Sequence, residues 1–139
     1  MLVYRLESEQ NGKGIYYCGG LVEKLSLRIM SSDAHPSPEE DFCRKSGLSL
    51  AHLMHKSNHE TSKYFYAFDS IESMQNWTNI KIPDELKLLY PGTIRENLHK
   101  LGIVLRVYET HNTEICGKYQ TVFVRSNPHI YEVDPSVWV

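Results

Sequence analysis

The sequence is short of nearly every feature that would settle a function at sight. No apolar run approaches the roughly 18 to 20 residues that a membrane-spanning helix requires. The start, Met1-Leu2-Val3-Tyr4-Arg5-Leu6-Glu7, turns polar at once, so no signal peptide is expected. There is no basic excess either: 15 Lys and Arg face 17 Asp and Glu, a formal charge of −2. That balance argues against general nucleic-acid binding, which calls for a cationic surplus over phosphate, and equally against an acidic disordered tail. Cysteines are few. Cys18, Cys43 and Cys116 are far apart and form no CxxC pair, which excludes a zinc ribbon or a thioredoxin-like motif. Three reduced thiols in a cytoplasmic protein is the simplest reading. No Gly-x-Ser-x-Gly elbow is present, and Gly12-Lys13-Gly14 is too short for a P-loop or a dinucleotide fingerprint.

What is present suffices for a core. Hydrophobic residues make up 41% and aromatics 11% of 139 residues, so one folded domain spanning 1–139 is expected. Leu2 to Glu7 alternates like a strand, with Val3, Arg5 and Glu7 on one face and Leu2, Tyr4 and Leu6 on the other. Leu21 to Met30 has the spacing of a short helix. Two prolines make Ser31 to Asp41 a loop, and helices are expected from Pro38 to Gly47 and from Ser49 to about Lys56. Tyr64 to Phe68 reads as a buried strand, and Asp69 or Ser70 caps a helix over Ile71 to Trp77. Pro83-Asp84-Glu85 marks a further helix start, broken at Pro91-Gly92. Thr93 to Leu101 follows as a helix with Ile94, Leu98 and Leu101 inward, stopped by Gly102. Ile103 to Glu109 is a strand and His111 to Lys118 a hairpin-like loop. Tyr119 to Arg125 and Ile130 to Val133 are the last strands. The order predicts an α+β fold: a mostly antiparallel sheet with helices between the early strands. Trp138 either plugs the core or anchors a partner, and the plug is the favoured reading.

Several side chains invite a chemical reading. His52, His55 and His59 share one helical face and could hold zinc, but Leu53 stands where a metalloprotease places its acid. A solvated helix face is preferred, and no metal site is assigned. His35 lies in a proline-bounded loop just ahead of Glu39, Glu40 and Asp41, where a carboxylate would keep its imidazole basic for proton transfer. The plain alternative is an exposed histidine before a helix start. The aromatic run 64–68 could stack bases, but without a basic surround core packing is preferred. Lys81, Lys87, Arg95 and Lys100 read as a solvated face.

Taken in order, the pieces resemble the small ADP-ribosyltransferase-like proteins, in particular compact members found in bacteria and phages. A first strand Val3-Tyr4-Arg5-Leu6-Glu7 leads into Gly12-Lys13-Gly14-Ile15-Tyr16. A His-Pro-x-Pro loop over His35 to Pro38 precedes Asp41. An aromatic strand, Phe65 to Phe68, ends in Asp69-Ser70 and opens a helix ending at Trp77. Val104 to Glu109 and Gln120 to Phe123 follow as late strands.

The resemblance implies chemistry on NAD as substrate. It puts Arg5 on the dinucleotide phosphates, where a guanidinium offers a planar fork. Tyr16 or Tyr17 would lie near the nicotinamide, and Ser70 beside its ribose. The late-strand position that stabilises the ribosyl cation is Gln120, where the family usually has Glu. An amide still hydrogen-bonds a ribose hydroxyl but supplies no net charge. Gln120 therefore suits binding of NAD or ADP-ribose better than rapid transfer, unless Glu114 or Glu132 takes the role. His35 and Asp41 would face a macromolecular acceptor. The other expectation, with no cofactor at all, is an interaction protein such as a phage-borne inhibitor that blocks a host partner by binding.

Overall fold

The computed structural model describes residues 2–15, 19–20, 64–110, 115–116, 120–124 and 128–139. Strand β1 (Leu2–Ser8) lies in the interior of a sheet, with its successive residues turned to alternate faces. It pairs along its whole length with β3 (Ile103–Glu109), from Leu2 opposite Glu109 to Ser8 opposite Ile103. On its other side runs β2 (Tyr64–Phe68), with Tyr4 opposite Phe68. The sheet is completed by β4 (Ile115–Cys116), β5 (Gln120–Val124) and β6 (Tyr131–Glu132). Its order is β4-β5-β2-β1-β3-β6, and every pairing among the described residues is antiparallel. The protein is therefore α+β with an antiparallel sheet, as expected.

Two short helices cover one face. Helix α1 (Ile71–Trp77) starts where the Ser70 hydroxyl accepts a hydrogen bond from the Ser73 amide at 3.0 Å, so Ser70 is the cap. Its far end is closed by neighbours: Thr78 Oγ1 donates to the Met74 carbonyl at 2.7 Å, and Arg95 donates to the Gln75 carbonyl at 2.9 Å. Arg95 is thus a tie between helices rather than part of a solvated face. Helix α2 (Ile94–Lys100) is capped by Thr93 and ended by Gly102, whose φ of +95° only glycine adopts without strain. Met74 and Trp77 from α1 and Ile94 and Leu98 from α2 meet Leu6, Phe68, Ile103, Leu105 and Val107 from the sheet in the main core. Leu101, expected inward, is partly buried against that core.

The helix expected after Pro83 is a single 3₁₀ turn (Asp84–Leu86) followed by turns to Tyr90. Its start signals are real, but Leu86 alone is buried in the core, with Tyr90 packed at its margin. Leu88 is 97% exposed and Leu89 67%, so no apolar stripe exists to hold a longer helix down. The loop expected over 111–118 contains β4, whose Ile115 and Cys116 pair with Val122 and Thr121. The helices expected over 21–30, 38–47 and 49–56 lie outside the described residues, as do Cys18 and Cys43. The helices seen between strands are α1 and α2, which join β2 to β3.

Trp138 is a plug: it is 1% exposed, closes the core and meets His99 edge-on at 5.8 Å between ring centroids. It is delivered by a four-residue helix, α3 (Pro135–Trp138). Asp134 caps α3, accepting from the Ser136 amide at 2.9 Å and from its hydroxyl at 2.7 Å. These bonds hold the Asp134 carboxyl below its ordinary 3.8. A depressed carboxylate pKa gives stability that is complete above the ordinary value and lost as pH falls through the lower, folded one. Asp134→Ala should therefore shift the urea midpoint at neutral pH and shift it less at about pH 2.5. An equal shift at both pH values would refute the assignment.

Candidate functional site

The face of the sheet opposite the helices is built differently. Val3, Ala67 and Tyr108 form a small second cluster there, and beside it lies a set of buried charges. Arg5 and Arg106 are directly opposed on β1 and β3, an arrangement of like charges that is unfavourable by itself. Glu7 resolves it. One carboxylate oxygen accepts from Arg5 Nε at 2.9 Å; the other accepts from Arg106 at 3.1 Å and from the Tyr108 hydroxyl. Arg106 continues outward to Glu132 on β6, at 3.0 Å. The Glu7 side chain is wholly buried and Glu132 is 40% exposed, so the network runs from the interior of the sheet to its edge. Among the described residues its two arginines and two glutamates balance in charge. Burial pulls the Arg106 pKa down, but the bonds and charges of Glu7 and Glu132 outweigh that, and the net direction is up.

Gly14 belongs to this corner. It bridges to Glu7, and a Cβ at its position would meet an Arg5 guanidinium nitrogen at 3.2 Å. The turn glycine therefore lets the backbone approach the arginine closely.

The residues singled out in the sequence fall into three groups. His35, Asp41, Tyr16, Tyr17 and Glu114, together with His52, His55 and His59, lie outside the described residues. Arg5, Ser70 and Gln120 lie on or beside three neighbouring strands, β1, β2 and β5. Gln120 is in register with Phe68, and Phe68 with Tyr4, so Gln120 belongs to the cross-strand row of Tyr4, which lies on the helix face of the sheet, whereas Arg5 lies on the other face. Ser70 follows Phe68 by two residues. Among the described residues Arg5 and Ser70 share no partner, however: Arg5 faces Glu7, whereas Ser70 bonds Ser73 at the start of a helix packed on the opposite face. Glu132 stands three strands beyond β2 and is bonded to Arg106, which removes it as a substitute for Gln120. Among the described residues no three His, Cys, Asp or Glu side chains stand together as a metal site would require.

Sequence reasoning named Arg5 and missed its partner Glu7 and the Arg106 and Tyr108 that Glu7 also holds. The signal was available in part, because Arg5 and Glu7 are two apart on one strand face and so lie side by side. Arg106 and Tyr108 repeat that spacing on β3.

The described part of the chain thus defines an α+β protein with a six-stranded antiparallel sheet and a buried charge network on the face opposite α1 and α2. Residues 1–133 match the model of the family described as Bacteriophage T4 Y00F protein, and the chain belongs to that phage family. No curated protein and no solved structure matches the chain. No helix among the described residues is long and apolar enough to cross a membrane.

Proposed function

We propose that this phage-family protein binds NAD or an ADP-ribose derivative through an ADP-ribosyltransferase-like site. The observation that supports the reading is strand adjacency. Arg5, Ser70 and Gln120 come from distant parts of the chain, yet their strands are consecutive in the order β5-β2-β1. Two strand spacings, about 10 Å, separate the β1 and β5 backbones, with Arg5 on one face of the sheet and the row of Gln120 on the other. In this reading Arg5 meets the dinucleotide phosphates, Tyr16 or Tyr17 the nicotinamide, and Ser70 and Gln120 the ribose beside it. The bond from ribose C1′ to nicotinamide breaks with its electron pair leaving on nicotinamide. A nucleophile on a macromolecular acceptor, or water, then forms the new bond to C1′ and gives up its proton. His35 and Asp41 are the loop groups assigned to that acceptor. Incubation with labelled NAD tests the reading: released nicotinamide or a labelled acceptor is expected. Absence of any calorimetric signal with NAD and with ADP-ribose at millimolar concentration would end it.

A second reading has its own support. Arg5 is buried and its charge is already met by Glu7, which leaves less of it for an incoming phosphate. A protein of this kind that acts by binding a host partner, without chemistry, needs no free Arg5. A complex that survives gel filtration and is unchanged by Gln120→Ala favours this reading. Loss of activity in that variant with the complex intact favours the first.

A further inference from the structure

Of the seven asparagines in the chain, Asn11 alone is followed by glycine. The other six precede His, Trp, Ile, Leu, Thr or Pro. The difference is chemical. An asparagine side chain is open to attack by the backbone nitrogen of the next residue, and a side chain on that residue hinders the approach. The fold adds to the sequence. Asn11 stands exposed in the tight turn after β1, and Gly12 beside it has a φ of +69°. The Lys13 amide donates to Asn11 Oδ1 at 2.9 Å. That bond folds the side chain along the main chain and aims a donor at the oxygen on which negative charge collects during attack. One bond opposes the reaction: the Gly12 amide donates to the Ser8 carbonyl at 2.8 Å and must be released before its nitrogen can react.

We propose that Asn11 is a self-modification site, where the turn converts asparagine to isoaspartate without an enzyme and so uncovers Arg5. The Gly12 nitrogen gives its proton to hydroxide or a buffer base and bonds to Asn11 Cγ. The side-chain nitrogen leaves with the electron pair of its bond to Cγ, takes up a proton from water and departs as ammonia. A five-membered imide remains. Water then opens the imide: cleavage at Cγ gives aspartate, and cleavage at the main-chain carbonyl gives isoaspartate. Either product adds one negative charge, and isoaspartate also lengthens the main chain by one carbon. The turn is closed tightly around that point, with Ser8 N bonded to the Lys13 carbonyl and Gly12 N to the Ser8 carbonyl, both at 2.8 Å. Beyond it, Gly14 bridges to Glu7 and lies so near Arg5 that a Cβ there would meet the guanidinium at 3.2 Å. A longer turn lifts Gly14 off Arg5, whose side chain is 7% exposed while the turn is intact. The inference stands apart from both functional readings.

The test ages the full chain in mildly alkaline buffer beside a free peptide of residues 7–15, and follows both by mass spectrometry after digestion. Conversion of amide to acid is expected at Asn11 in both, about tenfold slower in the chain because the turn must first open. The other six asparagines should stay intact over the same time. An unchanged Asn11 in the chain after the peptide has converted would overturn the proposal, as would equal conversion at the other asparagines. The aged chain, separated from the fresh one by its extra charge, is then treated with an arginine-selective dicarbonyl reagent. Labelling of Arg5 should rise several-fold, with Arg95 unchanged as the internal reference. Asn11→Asp carries the charge on a backbone of ordinary length and should leave Arg5 as protected as in the fresh chain. No rise at Arg5 on ageing, or an equal rise in Asn11→Asp, would overturn the uncovering of Arg5 by the longer turn.

Discussion

On the proposed action on NAD, Gln120→Glu is expected to raise the rate of nicotinamide release by about a thousandfold. When nicotinamide leaves, positive charge develops on the ribose, and only a group with net negative charge gains greatly from that change. A carboxylate about 4 Å from the developing charge contributes on the order of 4 kcal/mol at an effective dielectric near 20. That corresponds to about three powers of ten in rate. The substitution exchanges an amide for a carboxylate of the same shape at the first residue of β5, whose backbone is fixed by pairing with Phe68. A gain in rate with unchanged melting therefore reports on chemistry. Equal release of labelled nicotinamide by the two proteins would remove Gln120 from the site. Release by neither, with NAD still bound, would make the protein a binder of the dinucleotide only.

The elements that were legible in the sequence are those whose signals are local. The alternation of Leu2 to Glu7 assigns the two faces of β1 correctly, because side chains on a strand alternate whatever the strand pairs with. The helix start at Asp69 or Ser70 is legible because a side-chain oxygen just before an apolar repeat has amides to satisfy, and Ser70 is the one that does so. Gly102 ends α2 for an equally local reason. The region after Pro83 misled because proline and acids announce a helix regardless of whether an apolar stripe follows; Leu88 and Leu89 do not supply one. Strand β4 is only two residues long and exists through its pairing with β5, which no local pattern encodes. The site divides in the same way. Arg5 and Ser70 could be picked out one at a time, but which groups meet them depends on strand order. That Glu7 stands between Arg5 and Arg106 follows from the pairing of β1 with β3, residues a hundred positions apart in the chain.

Glu7→Ala is expected to destabilise the fold by about 3–5 kcal/mol, the usual result of removing one partner from a buried ion pair. The wholly buried carboxylate is bonded to Arg5, Arg106 and Tyr108 together. Without it, two guanidinium groups remain directly opposed across β1 and β3, and the Tyr108 hydroxyl loses this acceptor. A domain of ordinary stability, about 5–15 kcal/mol, would be brought near its threshold. Glu132 softens the loss on the Arg106 side only, since it bonds Arg106 from the exposed edge of the sheet. Removing that outer partner by Glu132→Ala should consequently be much milder, within about 1 kcal/mol, because a half-exposed pair is screened by water. Urea unfolding followed by the fluorescence of the buried Trp77 and Trp138 measures both variants on one scale. A Glu7→Ala loss no larger than that of Glu132→Ala would mean that water reaches the network. The charge of Arg5 would then be open to an incoming anion, and the main objection to its role on a dinucleotide phosphate would fall away.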